Sequence, residues 1–176
     1  KDEAQKLFVA EMGNLKSDTY RAGALAAVCD VSFGKSDWKE VQSWSGQLLA
    51  AKPTPEQAAR GNYQLGYALY QLKDPDAAIA ALAKIAGLEA DKSWQTRADY
   101  LLGECYNLKE EYDKAEASFV AALPGLEGKD AVECRYRLGL MRFVLKKYAE
   151  ARTDLEAYLL DAKDSPNASQ AKLYIA

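Results

Sequence analysis

The chain has 176 residues, with 23 Lys and Arg against 26 Asp and Glu, no His, three Cys and five Pro. Without His there is no Ser-His-Asp or Cys-His nucleophile system, no imidazole proton shuttle and no histidine-ligated zinc. A net charge of −3 argues against a nucleic-acid face, and no apolar run reaches the ~20 residues of a membrane helix, so neither nucleic acid nor membrane insertion is expected.

A composition rich in Ala and Leu and poor in Gly predicts helix almost throughout. In chain order, Ala4, Phe8 and Met12 mark a lone helix over residues 1–14. Residues 18–51, 55–87, 92–125 and 128–162 each read as a pair of helices, and 167–176 as the start of one more. The second pair shows the pattern best: Leu65, Leu69 and Leu72, then Ile79, Leu82 and Ile85, follow the three-to-four spacing of amphipathic helices. Pro53, Pro55, Pro75, Pro124 and Pro166 fall near helix ends, where a missing N–H costs little. Asp37, Asp74 and Asp76 suit N-terminal caps and turns.

This division rests on an internal repeat. Tyr63-Gln64-Leu65-Gly66 recurs as Tyr100-Leu101-Leu102-Gly103 and as Tyr136-Arg137-Leu138-Gly139. Twelve residues after each Gly stands an Ala (Ala78, Ala115, Ala151), and four further on a large apolar residue (Leu82, Phe119, Leu155). Residues 18–51 carry Cys29, Val41 and Ser45 at those three places. Gly within a helix costs about 1 kcal/mol relative to Ala, so its recurrence implies that a neighbouring helix comes very close.

The pattern resembles the tetratricopeptide repeat, with its Leu-Gly in helix A, an aromatic at the A–B turn (here Trp38, Tyr112 and Tyr148, with Pro75 as the exception), and Ala then a large apolar residue in helix B. The resemblance implies an all-α, right-handed superhelical solenoid of antiparallel helix pairs, with helix A lining the concave side. Stacking would leave apolar faces on Phe8 and Met12 at one end and on Leu173 and Ile175 at the other, so end-to-end self-association is expected. The period of 36–37 residues exceeds the family's usual 34, with the extra residues around Glu89–Ser93 and Gly125–Lys129, and is similar to that of bacterial envelope repeat proteins. That similarity points to a periplasmic or envelope location, whereas Cys29, Cys105 and Cys134, an odd set without Cys-x-x-Cys spacing, read as buried free thiols and lean toward a reducing compartment.

The family's groove-facing offsets give Tyr63, Tyr100 and Tyr136, a ladder flanked by Ala26 and Leu173. The next offsets give Tyr67, Glu104 and Leu140, then Tyr70, Asn107 and Phe143; one turn before the ladder lie Arg60, Arg97 and Glu133. The ladder can serve packing between repeats or ligand contact, while Tyr67, Tyr70 and Phe143 lack an identical counterpart in every repeat and so point to a ligand. Of a Lys-Asn-Arg carboxylate clamp only Arg60, Arg97 and Asn107 are present. The resemblance therefore implies a protein-interaction scaffold that holds a protein or peptide segment in an aromatic groove. An auxiliary region of a larger enzyme or signalling protein, and a spacer with an empty groove, are the alternatives. Glu110-Glu111 and Asp74/Asp76 read as solvated turn carboxylates, and Lys146-Lys147 as a helix C-terminal pair. No catalytic residue, cofactor or metal is expected.

Overall fold

The computed structural model describes Ala10 and residues 17–176; apart from Ala10, the expected helix over 1–14, with Phe8 and Met12, lies outside the described residues. Within 17–176 the chain forms nine α-helices and no strand: α1 (Asp18–Gly34), α2 (Trp38–Ala50), α3 (Pro55–Gln71), α4 (Pro75–Leu82), α5 (Lys92–Leu108), α6 (Tyr112–Ala122), α7 (Gly128–Val144), α8 (Tyr148–Asp161) and α9 (Ala168–Ile175). Short 3₁₀ turns at Ala83–Ile85 and Leu123–Gly125 extend α4 and α6. The chain is thus an all-α array of helix pairs. It divides into two compact units, Lys1–Trp94 and Gln95–Ala176, described separately below.

The ends of the helices follow from local chemistry. Thr54 starts α3 with a capping box: its hydroxyl accepts from Gln57 N–H, and the Gln57 side chain accepts from Thr54 N–H. Asp37 and Asp74 cap α2 and α4 by accepting from the amides of Glu40 and Ala77. Each first helix stops in the same way. Asp74 N–H reaches back to Leu69 O and Lys73 N–H to Tyr70 O, which puts Lys73 in the left-handed region at φ 66°. Ser36, Glu110 and Lys146 sit at φ 59°, 60° and 62° in the equivalent turns. Glycine would enter this conformation most easily, and none of the four is glycine.

The repeated glycine has a visible cause. A Cβ on Gly66 would lie 2.6 Å from Leu82 Cγ, one on Gly103 2.6 Å from Phe119 Cε1, and one on Gly139 2.7 Å from Leu155 Cγ. The large residue sixteen positions on therefore fills the space that the missing side chain leaves. The same Cβ on Gly66 or Gly139 would lie 3.4 Å from the carbonyl oxygen of Ala78 or Ala151, so the alanine twelve positions on lets the backbones meet. In α1–α2 the first helix instead carries Cys29, whose Sγ lies 3.0 Å from Ser45 Oγ and 4.0 Å from Val41 O. The partners are again twelve and sixteen positions on.

The first unit's core joins Leu25, Val28 and Leu48 with Trp44, and Cys29, Val41 and Ala68 with Phe33 and Trp38. In the second, Phe119, Cys134, Leu138 and Met141 form one cluster, and Tyr136, Leu155, Tyr158 and Ala171 another. Ile175 packs against the latter, whereas Leu173 is exposed.

Candidate functional site

In the first unit, α3 brings Arg60, Tyr63, Tyr67 and Tyr70 to successive turns, all half-buried. Tyr67 is the hub of an aromatic cluster. Its ring lies 5.2 Å from Phe33, 5.4 Å from Trp38, 6.3 Å from Tyr63 and 6.5 Å from Tyr70. Tyr63 continues the run to Trp94 at 5.7 Å, and Lys73 Nζ stands 5.8 Å from the Tyr70 ring. Tilted and edge-on contacts of this kind each add about 0.5–1.5 kcal/mol to the area they bury. Tyr67 therefore joins the first two helix pairs while lying among the groove offsets.

Arg60 is engaged within the same unit. Its guanidinium pairs with Asp30 Oδ2 at 2.6 Å, and Gln64 Nε2 donates to Asp30 Oδ1 at 2.7 Å. One α1 carboxylate thus ties down two side chains of α3, which removes Arg60 as a free contributor to a carboxylate clamp.

The second unit repeats that arrangement with the charges exchanged. Arg137 stands two residues before Gly139, as Gln64 does before Gly66, and its Nε lies 3.2 Å from Glu104 Oε1 and 3.1 Å from Glu133 Oε1. Glu133 holds the place of Arg60, and Glu104 that of Asp30. Glu104 is 8 % exposed, and the Arg137 guanidinium supplies the opposite charge beside its carboxylate. Tyr100 lies beside this trio, its ring 5.6 Å from Phe119. Burial pushes its phenol pKa up, the Glu104 charge adds to the rise, and Arg137 opposes it.

The remaining candidates separate by burial. Tyr136 is buried, its ring 4.9 Å from Tyr158 and its hydroxyl donating to Gln170 Oε1 at 2.7 Å. This member of the ladder holds α7, α8 and α9 together. Leu140 is half-buried between the two cores of the unit. Phe143 is half-buried, 5.6 Å from Tyr148 and 4.4 Å from Tyr174. Asn107 is half-buried near the end of α5, and Arg97 is exposed in its second turn. Two open clefts of about 830 and 730 Å³ lie elsewhere in the unit, one against Leu160 and Lys172 and one against Lys129 and Tyr158. Of the groove offsets only Glu133 lines either cleft, the second.

The turn charges build their own network. Arg142 pairs with Glu116 at 3.1 Å and Asp154 at 2.7 Å, and Lys147 also pairs with Glu116. Burial raises the Glu116 carboxyl, but Lys147 and Arg142 outweigh it and its pKa ends low; at Asp154 burial wins and the pKa ends high. Glu111 is held low by Lys114 and Lys109. Cys29, Cys105 and Cys134 are buried free thiols, and burial pushes Cys105 and Cys134 up to about 12. Among the described residues no three metal-ligating side chains cluster, and no helix is long and apolar enough to cross a membrane.

The sequence candidates do not include Phe33, Trp94, Tyr174, Asp30 or Gln64, and the repeat pattern names Trp38 only as a turn residue. The one available signal was positional: Asp30 and Gln64 occupy the offsets of Glu104 and Arg137, but a partner about 34 residues away is visible only once the pairs stack.

These helix pairs define a class. Residues 59–92 match the family model of the tetratricopeptide repeat, and the described residues have the tetratricopeptide-repeat-like fold. Among solved structures it is similar to YrrB, described as a TPR protein with an unusual peptide-binding site, at 21 % identity and TM-score 0.76 over 98 % of this chain and 83 % of that one. It is also similar to the apo form of RapI, at 14 % identity and TM-score 0.79, covering 98 % of this chain and about half (51 %) of RapI. A MamA RS-1 double mutant gives 18 % identity and TM-score 0.75 over 93 % and 87 % of the two chains. No curated protein matches the chain in sequence.

Proposed function

We propose that the protein is an interaction scaffold that binds a peptide or protein segment on the faces of its first helices. The observation that carries this reading is the run of half-buried rings on α3, with Tyr67 in contact with Tyr63 on one side and Tyr70 on the other. Tyrosines fixed by their neighbours give rigid contact area with a hydrogen-bonding tip and lose little entropy on binding. In the second unit, Asn107 on α5 and Leu140 and Phe143 on α7 are half-buried polar and apolar side chains at the same offsets. The engaged charges of Asp30 with Arg60, and of Arg137 with Glu104 and Glu133, favour an apolar or aromatic segment over a carboxylate terminus. YrrB, of the same fold, is described by its peptide-binding site, which supports a peptide as the ligand class here.

A peptide-display selection on the whole chain tests this. Peptides that it enriches should lose about tenfold or more in affinity to a substitution on the face they occupy, Tyr70→Ala on α3 or Asn107→Ala on α5, both variants shown folded by circular dichroism. Tyr67→Ala is the poorer probe, because four neighbouring rings would lose a partner. Peptides indifferent to both substitutions would place binding off these faces. Failure to enrich any peptide would favour a spacer.

A further inference from the structure

Between the 3₁₀ turn Ala83–Ile85 and α5 the repeat runs longer than 34 residues, and the end of this segment turns back onto the start of α3. Asp91 accepts from Ser93 N–H at 2.8 Å and so caps α5, while its own N–H donates to Glu56 Oε2 at 3.0 Å. Trp94 Nε1 donates to the other oxygen, Glu56 Oε1. Both oxygens of one carboxylate are therefore occupied by donors from one short segment. Glu56 is exposed in the first turn of α3, where water could have served it equally well. What the two bonds accomplish is the placement of the indole, 5.7 Å from the Tyr63 ring at an interplanar angle of 50°.

We propose that Trp94 is a cover on Tyr63, locked by Glu56, and that an apolar side chain of the bound segment takes the place of the indole. This rests on the reading of Tyr63 as ligand-facing. The lock is built from two hydrogen bonds to an exposed anion, strong enough to hold one ring orientation and weak enough for a ligand to displace. Of the residues that form it, Asp91 lies in the inserted stretch that lengthens the repeat, Trp94 follows it in the first turn of α5, and Glu56 belongs to α3, so the insertion contributes one of the two donors.

The test labels the whole protein with 5-fluorotryptophan and follows the three Trp signals by ¹⁹F NMR, with Trp94 assigned through Trp94→Phe. Glu56→Ala should move the Trp94 signal toward that of free tryptophan and leave Trp38 and Trp44 in place; Glu56→Gln, which keeps one acceptor oxygen, should fall between. Nitration of Tyr63 by tetranitromethane, located by mass spectrometry, should rise about tenfold in Glu56→Ala and Trp94→Ala. Buried Tyr158 should stay unreactive, which reports that the fold is intact. An unmoved Trp94 signal, or Tyr63 nitration equal to the parent's, overturns the cover. If both respond and selected peptides bind Glu56→Ala about as tightly as the parent, the ligand-facing reading of Tyr63 falls while the lock stands.

Discussion

In the pair α3–α4 a bare Gly66 backbone receives Leu82, whereas in α1–α2 the same place on the first helix carries the Cys29 thiol and the second helix answers with Ser45. One arrangement puts all the volume on the second helix; the other divides it into two small groups that touch through a sulfur–hydroxyl contact. Both keep the helices close, and both use partners at the same two offsets. What recurs in all four pairs is a close contact between these two offsets, made by different residues in the first pair. Interiors are close-packed, so a pair may redistribute volume but not gain or lose much of it.

The comparison can be broken directly. Leu82→Ser alone removes a fully buried side chain and leaves a hydroxyl facing Gly66, and should cost about 4 kcal/mol in urea unfolding. Adding Gly66→Cys, which transplants the first pair's solution, should recover 1–2 kcal/mol or so as coupling in a double-mutant cycle. An additive cycle would mean that Cys29 and Ser45 do not compensate each other. Gly103→Leu drives new atoms into Phe119 and should destabilise by about 3 kcal/mol; a melting temperature within error of the parent's would contradict the close contact.

The exchanged charges give a second, smaller contrast. Arg137→Met leaves Glu104 nearly buried beside Glu133 and should cost about 2 kcal/mol. Arg60→Met leaves Asp30 with Gln64 and partial solvent, and should cost less than about 1 kcal/mol. Equal losses would show that burial of the carboxylate does not set the difference. At the turns, Lys73→Gly and Lys146→Gly relieve a left-handed backbone and should each stabilise by about 0.5 kcal/mol in chemical denaturation.

The smallest effect is in acid. Glu116 titrates lower folded than unfolded, so its contribution is present above the ordinary carboxylate range and is lost as pH falls through its lowered value. Asp154 titrates higher folded, so the folded state gains a proton first and stability from this group rises as pH falls toward its unfolded value. Glu116→Gln should therefore flatten the acid loss of stability, and Asp154→Asn should steepen it, in denaturation curves between pH 6 and 3.

The sequence by itself determined the helix-pair fold. Ala- and Leu-rich composition with amphipathic spacing points to packed helices, and Gly66, Gly103 and Gly139 at a near-constant period announce a repeated close contact. It also carried the caps, because Asp37 and Asp74 act on amides three residues away. Only the tertiary structure decided what meets what at longer range. That Leu82, Phe119 and Leu155 fill the glycine hollows, that Ser45 answers Cys29, and that Asp30 reaches Gln64 and Arg60 are facts about residues 16 to 34 positions apart. The same holds for the candidate faces: the offsets of Tyr63 and Tyr136 were legible, but not that one lies beneath Trp94 and the other is buried against Tyr158. Periodicity names the side of a helix, and the neighbours that the fold brings to that side decide whether a tyrosine there is core, clamp or surface.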